Sequence, residues 1–185
     1  MKDIPDGSVD LILCDLPYAV TKCKWDVVIP YEPMWEQYNR IIKDNGAILL
    51  FAVQPFTTAL INSNKKQYRY NWYWKKNNRT GGVGAKLRPM RCVEDICVFY
   101  KKQPTYNPQG LVKLRKPLVH KARKHVIYGH KVTDSIQTHK GYPHHLLEFD
   151  NAGYGAEKRT HPTQKPVALL EYLVKTYTNP RRYCS

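Results

Sequence analysis

The chain has 185 residues, enough for one globular domain with a small insertion, and 42% of them are hydrophobic. Thirty lysines and arginines against 15 acidic residues give a formal charge of +15, which favours a polyanionic partner, nucleic acid before an anionic membrane surface. The longest apolar run, AILLFAV at 47–53, is too short to span a membrane, and the polar N-terminus has no signal-peptide pattern. Five cysteines without a C-x-x-C pair indicate reduced thiols and a cytoplasmic protein.

The first third of the chain predicts alternating strands and helices. After the turn PDGS, the run VDLILC at 9–14 predicts a short buried strand. The segment 30–46 predicts a helix with Trp35, Tyr38 and Ile42 on one face. AILLFAV predicts a second buried strand, and PFTTALINSN a short helix. This alternation at this spacing is typical of an α/β protein with a parallel sheet.

The middle of the chain combines aromatic residues with positive charge. YNWYWKK and EDICVFYKK predict two strands around the Gly/Arg-rich loop 77–91, and the segments 45–93 and 96–133 contain no acidic residue. Long acid-free segments are typical of a surface that binds a polyanion. The alternating aromatics of 68–79 suit either base stacking or a half-buried strand. The predicted nucleic-acid contacts are Arg79, Lys86, Arg88, Lys113, Arg115, Lys116, Lys121, Arg123 and Lys124.

Periodicity is lost in the segment 103–158, where Lys, His, Tyr, Gly and Pro dominate, so this segment predicts an inserted loop-rich module. Behind it, TQKPVALLEYLVKTY at 163–177 predicts a helix that Thr163 can cap, with Pro166 in its first turn. The seven histidines follow no helical or zinc-ligand spacing, and no metal site is predicted.

The strand at 9–14 leads directly into Asp15-Leu16-Pro17-Tyr18. In the simplest interpretation Asp15 caps a loop. At the carboxyl end of a strand, where open α/β sheets bind ligands, the Asp15 carboxylate and the Leu16 carbonyl would instead offer two acceptors and Tyr18 a stacking surface. An amino group on an extruded base presents two N–H donors and a flat ring. Two placed acceptors would favour the pyramidal nitrogen that attacks an electrophile.

Asp15-Leu16-Pro17-Tyr18 resembles the Asp-Pro-Pro-Tyr motif of DNA amino-methyltransferases that use S-adenosylmethionine, and His-Pro-Thr-Gln-Lys-Pro at 161–166 resembles their cofactor-side motif. The segments 24–56 and 98–108 are similar to phage-type members with the circularly permuted motif order. The resemblance extends over nearly the whole chain. It implies a partial Rossmann-like methyltransferase sheet, S-adenosylmethionine as cofactor, and methyl transfer to adenine N6 in double-stranded DNA.

The same resemblance implies residue roles and domain limits. It assigns catalysis to Asp15, Leu16, Pro17 and Tyr18, and cofactor contacts to Asp15, Thr163, Gln164 and Lys165. It divides the chain into a catalytic half, 1–102, a target-recognition region, 103–158, and a cofactor-side helix, 159–185. Leu16 replaces the usual proline, but Pro17 keeps it extended and its carbonyl can still accept. Cytosine-N4 members more often have serine at the Asp15 position, so adenine is the favoured target and cytosine N4 the alternative.

The family's Phe-x-Gly-x-Gly cofactor loop does not occur in the sequence. In the permuted order this loop follows the helix after HPTQKP. The sequence therefore predicts a chain that is truncated before the loop. It also predicts that the last five residues, 181–185, result from a frameshift in the codons that would encode the next strand. An inactive DNA-binding remnant and a general RNA-binding protein are the alternatives. Without the following strands, 9–14 would form an exposed sheet edge that favours self-association. The expected location is the cytoplasm of a bacterium or a phage-infected host.

Overall fold

The computed structural model describes residues 1–18, 27–122, 133–154 and 164–180. They form two compact units, Met1–Asn107 with His145–Ser185, and Pro108–His144. None of the described helices is long and apolar enough to cross a membrane. In chain order the elements are β1 Val9–Asp15, α1 Tyr31–Ile41, β2 Ile42–Ala52, α2 Phe56–Ser63, β3 Tyr68–Thr80, a 3-10 turn Gly82–Gly84, β4 Arg91–Phe99, β5 Val112–His120, β6 Ser135–Lys140, β7 Leu146–Glu148 and α3 Val167–Tyr177.

The larger unit contains a five-stranded sheet in the order β1-β2-β4-β3-β7. β1 is parallel to β2 and β3 to β7, whereas β4 is antiparallel to both of its neighbours. The α/β class is therefore confirmed, but the expectation of a parallel sheet holds only for part of it, because β3 and β4 are joined as a hairpin. The carboxyl ends of β1, β2, β3 and β7 lie at one edge together with the start of β4. We refer to this as the carboxyl edge.

Both faces of the sheet are covered by helices, which explains why β2 is apolar and buried at every position from Ala47 to Ala52. On one face Trp35 of α1 and Phe56 of α2 pack with the strand residues Leu50 and Phe99. On the opposite face α3 packs through the residues Leu169, Leu173 and Tyr177 against Leu49, Phe51, Trp72, Trp74, Ile96 and Val98. Alternate residues of each strand thus enter separate cores, as the pleat requires.

The aromatic run of β3 belongs mainly to this second core. Trp72 and Trp74 are almost fully buried beneath α3, and the Trp72 indole N–H donates to the Tyr177 hydroxyl at 2.6 Å. The period-two pattern therefore reports a half-buried strand, and these two indoles provide no stacking surface for bases.

Helix boundaries differ from the sequence expectation at both ends of the chain. α1 ends at Ile41 and not near residue 46, because Ile42 already pairs with Val9 in the sheet. α3 begins at Val167, with Pro166 as its last non-helical neighbour. Thr163, the expected cap, lies outside the described residues.

The smaller unit, Pro108–His144, is built on the antiparallel pair β5-β6. These two strands have no signal in the sequence, because an exposed strand lacks the apolar alternation that identifies a half-buried strand. Gly110 and Gly141 have positive φ, and a Cβ on Gly141 would lie 2.6 Å from the Gly110 carbonyl oxygen. Only residues 108–144 of the predicted 103–158 module form this unit, since β7 joins the larger sheet.

The hydrogen bonds of Tyr177 predict a measurable contribution to stability. Its buried hydroxyl is bonded to both Trp72 and Tyr70. Replacement of Tyr177 with phenylalanine leaves the Trp72 N–H buried without an acceptor, and the free energy of unfolding in urea should fall by about 1–3 kcal/mol. The matched substitution Tyr154→Phe, at a residue that is 61% exposed, should change it by less than about 0.5 kcal/mol. Equal effects of the two substitutions would contradict the assignment.

Candidate functional site

The carboxyl edge brings together the charged residues of four segments. Asp15 ends β1 and pairs with Phe51 of β2, and Glu94 of β4 pairs with Trp74 of β3. Asp15 follows Leu11 and Leu13 with period two, and both leucines pack toward the core beneath α3. The strands that form the apolar core thus end in polar side chains on the face that carries α3.

Asp15 and Tyr18 form the first contact of the site. The Tyr18 hydroxyl donates a hydrogen bond to Asp15 Oδ1, and the Tyr18 ring lies 5.1 Å from the Phe56 ring between centroids. Burial, followed by the neighbouring Asp15 charge, raises the pKa of Tyr18 far above its ordinary value. The hydroxyl therefore stays protonated at neutral pH and donates a hydrogen bond to Asp15. Leu16 between them is buried in the core with α1 and α2, which fixes the turn.

Lys165 forms the second contact of Asp15. Its Nζ lies 2.7 Å from Asp15 Oδ2, although the two residues are 150 positions apart. The lysine side chain is 11% exposed and that of Asp15 33%, so the ammonium is shielded while part of the carboxylate stays accessible. Lys165 Nζ also lies 5.0 Å from the centroid of the Phe51 ring, a cation–π distance.

A second carboxylate, Glu94, lies behind this pair. Glu94 Oε1 forms an ion pair with Lys76, and Glu94 Oε2 lies 3.4 Å from Lys165 Nζ. The side chains of Glu94, Lys76 and Lys165 are only 11–12% exposed. Oε2 accepts no hydrogen bond from the described residues, so its interaction with Lys165 is a charge attraction at slightly longer range. Lys165 is thus held between two carboxylates.

The side chains of this site are suited to accepting hydrogen bonds and not to nucleophilic attack. Each carboxylate oxygen has two lone pairs, so Asp15 can accept further N–H bonds while it holds Tyr18 and Lys165. The neighbouring Cys14 thiol is unsuited to nucleophilic attack, because burial raises its pKa and the thiolate is the reactive form. The described residues contain no cluster of three or more His, Cys, Asp or Glu side chains placed to bind a metal ion.

Not all predicted site residues can be located. Asp15, Tyr18 and Lys165 are in mutual contact through Asp15, and Gln164 is half-buried next to Lys165. Pro17 is half-buried within the turn. Thr163 lies outside the described residues. Their roles in catalysis and cofactor binding stay predictions.

The predicted nucleic-acid contacts divide between the two units. Arg79, Lys86 and Arg88 are exposed around the β3–β4 connection in the larger unit. Four cations are exposed on or next to β5 in the smaller unit: Lys113, Arg115, Lys116 and Lys121. Arg123 and Lys124 lie outside the described residues.

Sequence reasoning missed Glu94 and Lys76. The available signal was the position of Glu94 and Asp95, which are the only acidic residues between 45 and 133. The structure gives each a partner, because Glu94 binds two lysines and Asp95 accepts a hydrogen bond from Thr57 at 2.6 Å. The two acidic residues inside the basic segment therefore bind partners within the protein, and they do not neutralise the exposed cations around them.

Comparison with known proteins gives consistent matches. A family model described as DNA methylase, of the N6/N4 methyltransferase type, matches residues 9–184. Among curated proteins, type II methyltransferase M.HpaI of Haemophilus parainfluenzae is 24% identical over 97% of this chain and 57% of its own length. DNA adenine methyltransferase YhdJ of Escherichia coli (strain K12) is 25% identical over 97% of this chain and 64% of its own. The chain thus spans between half and two thirds of the length of these relatives.

Solved structures agree on the fold. The M1.HpyAVI–SAM complex superposes with a TM-score of 0.56 at 19% identity, covering 97% of this chain and 70% of the other. The cytosine-N4-specific PvuII DNA methyltransferase gives a TM-score of 0.61 at 13% identity, covering 97% and 67%. Both therefore show a related α/β architecture.

The shielded position of Glu94 predicts a large cost for its loss. Glu94→Gln leaves the shielded Lys76 without its counter-charge and Lys165 with Asp15 alone, and the free energy of unfolding in urea should fall by about 3–5 kcal/mol, as when one partner of a buried pair is removed. Glu171→Gln is the matched control, because its pair with Lys175 is exposed on α3. It should change stability by less than about 1 kcal/mol. A small, equal effect of both would mean that the cluster is solvated.

Proposed function

The chain belongs to the DNA methylase family of N6/N4 amino-methyltransferases, whose model spans nearly its full length, and from this premise we propose that it forms the catalytic part of a DNA adenine-N6 methyltransferase. The proposed cofactor is S-adenosylmethionine and the proposed substrate an adenine extruded from double-stranded DNA. The methyl-transfer activity, the target base and the roles of the site residues are all part of this proposal.

The observation that carries this proposal is the contact of Asp15 with Lys165. It joins the two segments in which the motifs were recognised, DLPY at 15–18 and HPTQKP at 161–166. A chance similarity in either segment would not require their charged side chains to meet at the ligand-binding edge of an α/β sheet. The contact therefore supports a single site with an acceptor side and a cofactor side.

The residues at this edge fit the proposed cofactor. S-adenosylmethionine carries a sulfonium cation, and the edge offers the partly exposed Asp15 carboxylate, which the shielded Lys165 ammonium holds in place. When bound, the cofactor would supply an electrophilic methyl group. Asp15, Gln164 and Lys165, with Thr163, are the residues proposed to hold it.

Asp15 acts on the amino group in this proposal. Its carboxylate and the Leu16 carbonyl accept the two N–H bonds of the adenine amine, which withdraws the nitrogen lone pair from conjugation with the ring. The hydrogen bond from Tyr18 and the ion pair with Lys165 hold the carboxylate in one orientation. The ring of Tyr18, packed on Phe56, is the proposed platform for the extruded base, and Pro17 restricts the turn.

Adenine is favoured over cytosine N4 for two reasons. The acceptor at the motif's first position is aspartate, and one similar curated protein is named a DNA adenine methyltransferase. DNA binding without methyl transfer is the second candidate, supported by the exposed cations Lys113, Arg115 and Lys116. Double-stranded DNA is the proposed partner in both cases.

Product analysis tests the proposal. The chain is incubated with duplex DNA and methyl-labelled S-adenosylmethionine, and the digested nucleosides are separated by mass spectrometry. Label in the N6-methylated deoxyadenosine supports the main proposal, and label in the N4-methylated deoxycytidine supports the alternative base. DNA binding without label identifies the inactive remnant, and absence of both label and DNA binding overturns the proposal.

Asp15→Ala predicts a loss of turnover in the same assay. Removal of one preorganised acceptor should lower methyl transfer about 100- to 1,000-fold, with DNA affinity within a few-fold of the parent. Asp44→Asn is the control, because Asp44 is an exposed carboxylate paired with Lys102 away from this edge. Turnover of the Asp15 variant close to that of the control would refute the catalytic assignment.

The exposed cations of β5 predict a salt-dependent interaction. If Lys113, Arg115 and Lys116 bind phosphates, their replacement by alanine should reduce the slope of log affinity against log salt by about 0.9 for each lost contact. Replacement of Lys65 and Lys66, which are exposed in the larger unit at the end of β3 away from the carboxyl edge, should leave the slope unchanged. Filter binding at salt concentrations from about 50 to about 300 mM measures this slope. An equal change in both variants would indicate unspecific attraction.

A further inference from the structure

We propose that the connection between β3 and β4, residues 81–90, is a wedge that inserts apolar side chains into the gap left in double-stranded DNA by an extruded base. This inference rests on the proposed function, because it requires DNA as the partner. The side chains that would insert are Val83 and Leu87.

The topology places this connection on the side of the sheet that carries the candidate site. β3 runs toward the carboxyl edge and β4 returns from it, with Thr80 opposite Arg91 at the base of the hairpin. β1 ends in Asp15 at the same edge. A loop that projects from this edge is therefore presented to the same substrate that reaches Asp15.

The wedge has an internally bonded backbone. Successive amides donate back three or four residues, from Gly84 to Gly81, Ala85 to Gly82, and both Leu87 and Arg88 to Gly84. Gly81 begins the turn with φ of 90°, a conformation that favours glycine. These bonds give Val83 and Leu87 defined positions, which lowers the entropic cost of inserting them.

The two apolar side chains are exposed to an unusual degree. Val83 is 108% and Leu87 91% exposed relative to the reference residue. Neither contributes to the two cores of the larger unit, so folding of that unit gives no reason for apolar residues here. A loop that only contacted phosphates would need no valine or leucine at its tip. Apolar side chains at such positions can enter the stack of bases and replace a missing ring.

The charges around the tip identify the partner. Arg79, Lys86, Arg88 and Arg91 are all exposed, and no carboxylate of the described residues lies within ion-pair distance of any of them. The sequence from 77 to 91 contains no acidic residue. Cations on both sides of an apolar tip are complementary to phosphates on both sides of a base gap.

Extrusion of a base explains the need for a wedge. Unstacking one nucleotide is energetically unfavourable and leaves an apolar cavity in the duplex. Burial of a valine or leucine side chain in that cavity would offset much of this cost. The wedge would therefore stabilise the open duplex, while Asp15 and Tyr18 act on the extruded base.

The test compares two duplexes of equal length, one intact and one with an abasic site flanked by 2-aminopurine. The parent chain should bind the abasic duplex more tightly and raise the fluorescence of the 2-aminopurine, because an inserted aliphatic side chain holds it apart from the bases that quench it. In Val83→Ser/Leu87→Ser the preference for the abasic duplex should fall about five- to tenfold and the rise in fluorescence should be lost. Affinity for the intact duplex should stay within about twofold, because the phosphate contacts remain.

Two control variants separate the apolar tip from the charges. Val174→Ser, at an apolar residue 41% exposed on α3, should leave the affinity, the preference and the rise in fluorescence unchanged. Lys86→Gln/Arg88→Gln should weaken binding to both duplexes equally and retain the preference. Unaltered urea unfolding of the serine variant is expected, since both substituted side chains are exposed.

The outcomes distinguish this inference from the proposed function. If the parent binds DNA and the serine variant keeps both the preference and the rise in fluorescence, the wedge is refuted while the proposed function stands. If the serine variant loses affinity equally for both duplexes, Val83 and Leu87 contact a groove, and the wedge is again refuted. If the parent binds neither duplex, both inferences fail.

Discussion

The ion pair between Asp15 and Lys165 is the interaction on which the candidate site depends. It connects the end of the first strand to the segment before the last helix, and it carries the lysine to Glu94 on β4. Shielded charges are costly unless each has a partner, so the pairing requires β1, β4 and α3 to be in place together. Packing of the α3 residues Leu169 and Leu173 against the sheet supplies the apolar burial that offsets this cost.

The division between apolar and charged residues follows the strand direction. Along β3 the side chains facing α3 change from Trp72 and Trp74 to Lys76, and along β4 Glu94 comes before Ile96. The same pleat that fills the core therefore delivers charged groups to the carboxyl edge. Because these groups stand on strands buried between two helical layers, their positions are set by the core, which is what a preorganised site requires.

The sequence predicted the parts of the fold that have a strong local pattern. The strands β1 and β2, the short helix α2 and the apolar stripe of α3 were all indicated by periodicity and turn residues, although β1 is half-buried at the side of the sheet and not buried as predicted. The strand order was not, because the place of β4 between β2 and β3 depends on long-range pairing. Without that order, alternation alone could not show that Asp15, Lys76 and Glu94 share one edge and one face. Asp15 and Lys165 were recognised through their motifs, whereas Glu94 has no motif of its own.

The number of acceptor sites on Asp15 decides whether the observed contacts help or block the proposed chemistry. Tyr18 uses one lone pair on Oδ1 and Lys165 one on Oδ2, while a carboxylate has about four such positions. Capacity for an amino group therefore remains, and the 33% exposure of the side chain leaves a path to it. Two fixed donors also restrict rotation of the carboxylate, so its remaining lone pairs point in set directions before substrate arrives. In the proposed chemistry, the contacts that occupy Asp15 thus prepare it as an acceptor, which is the condition for differential stabilisation of a transition state.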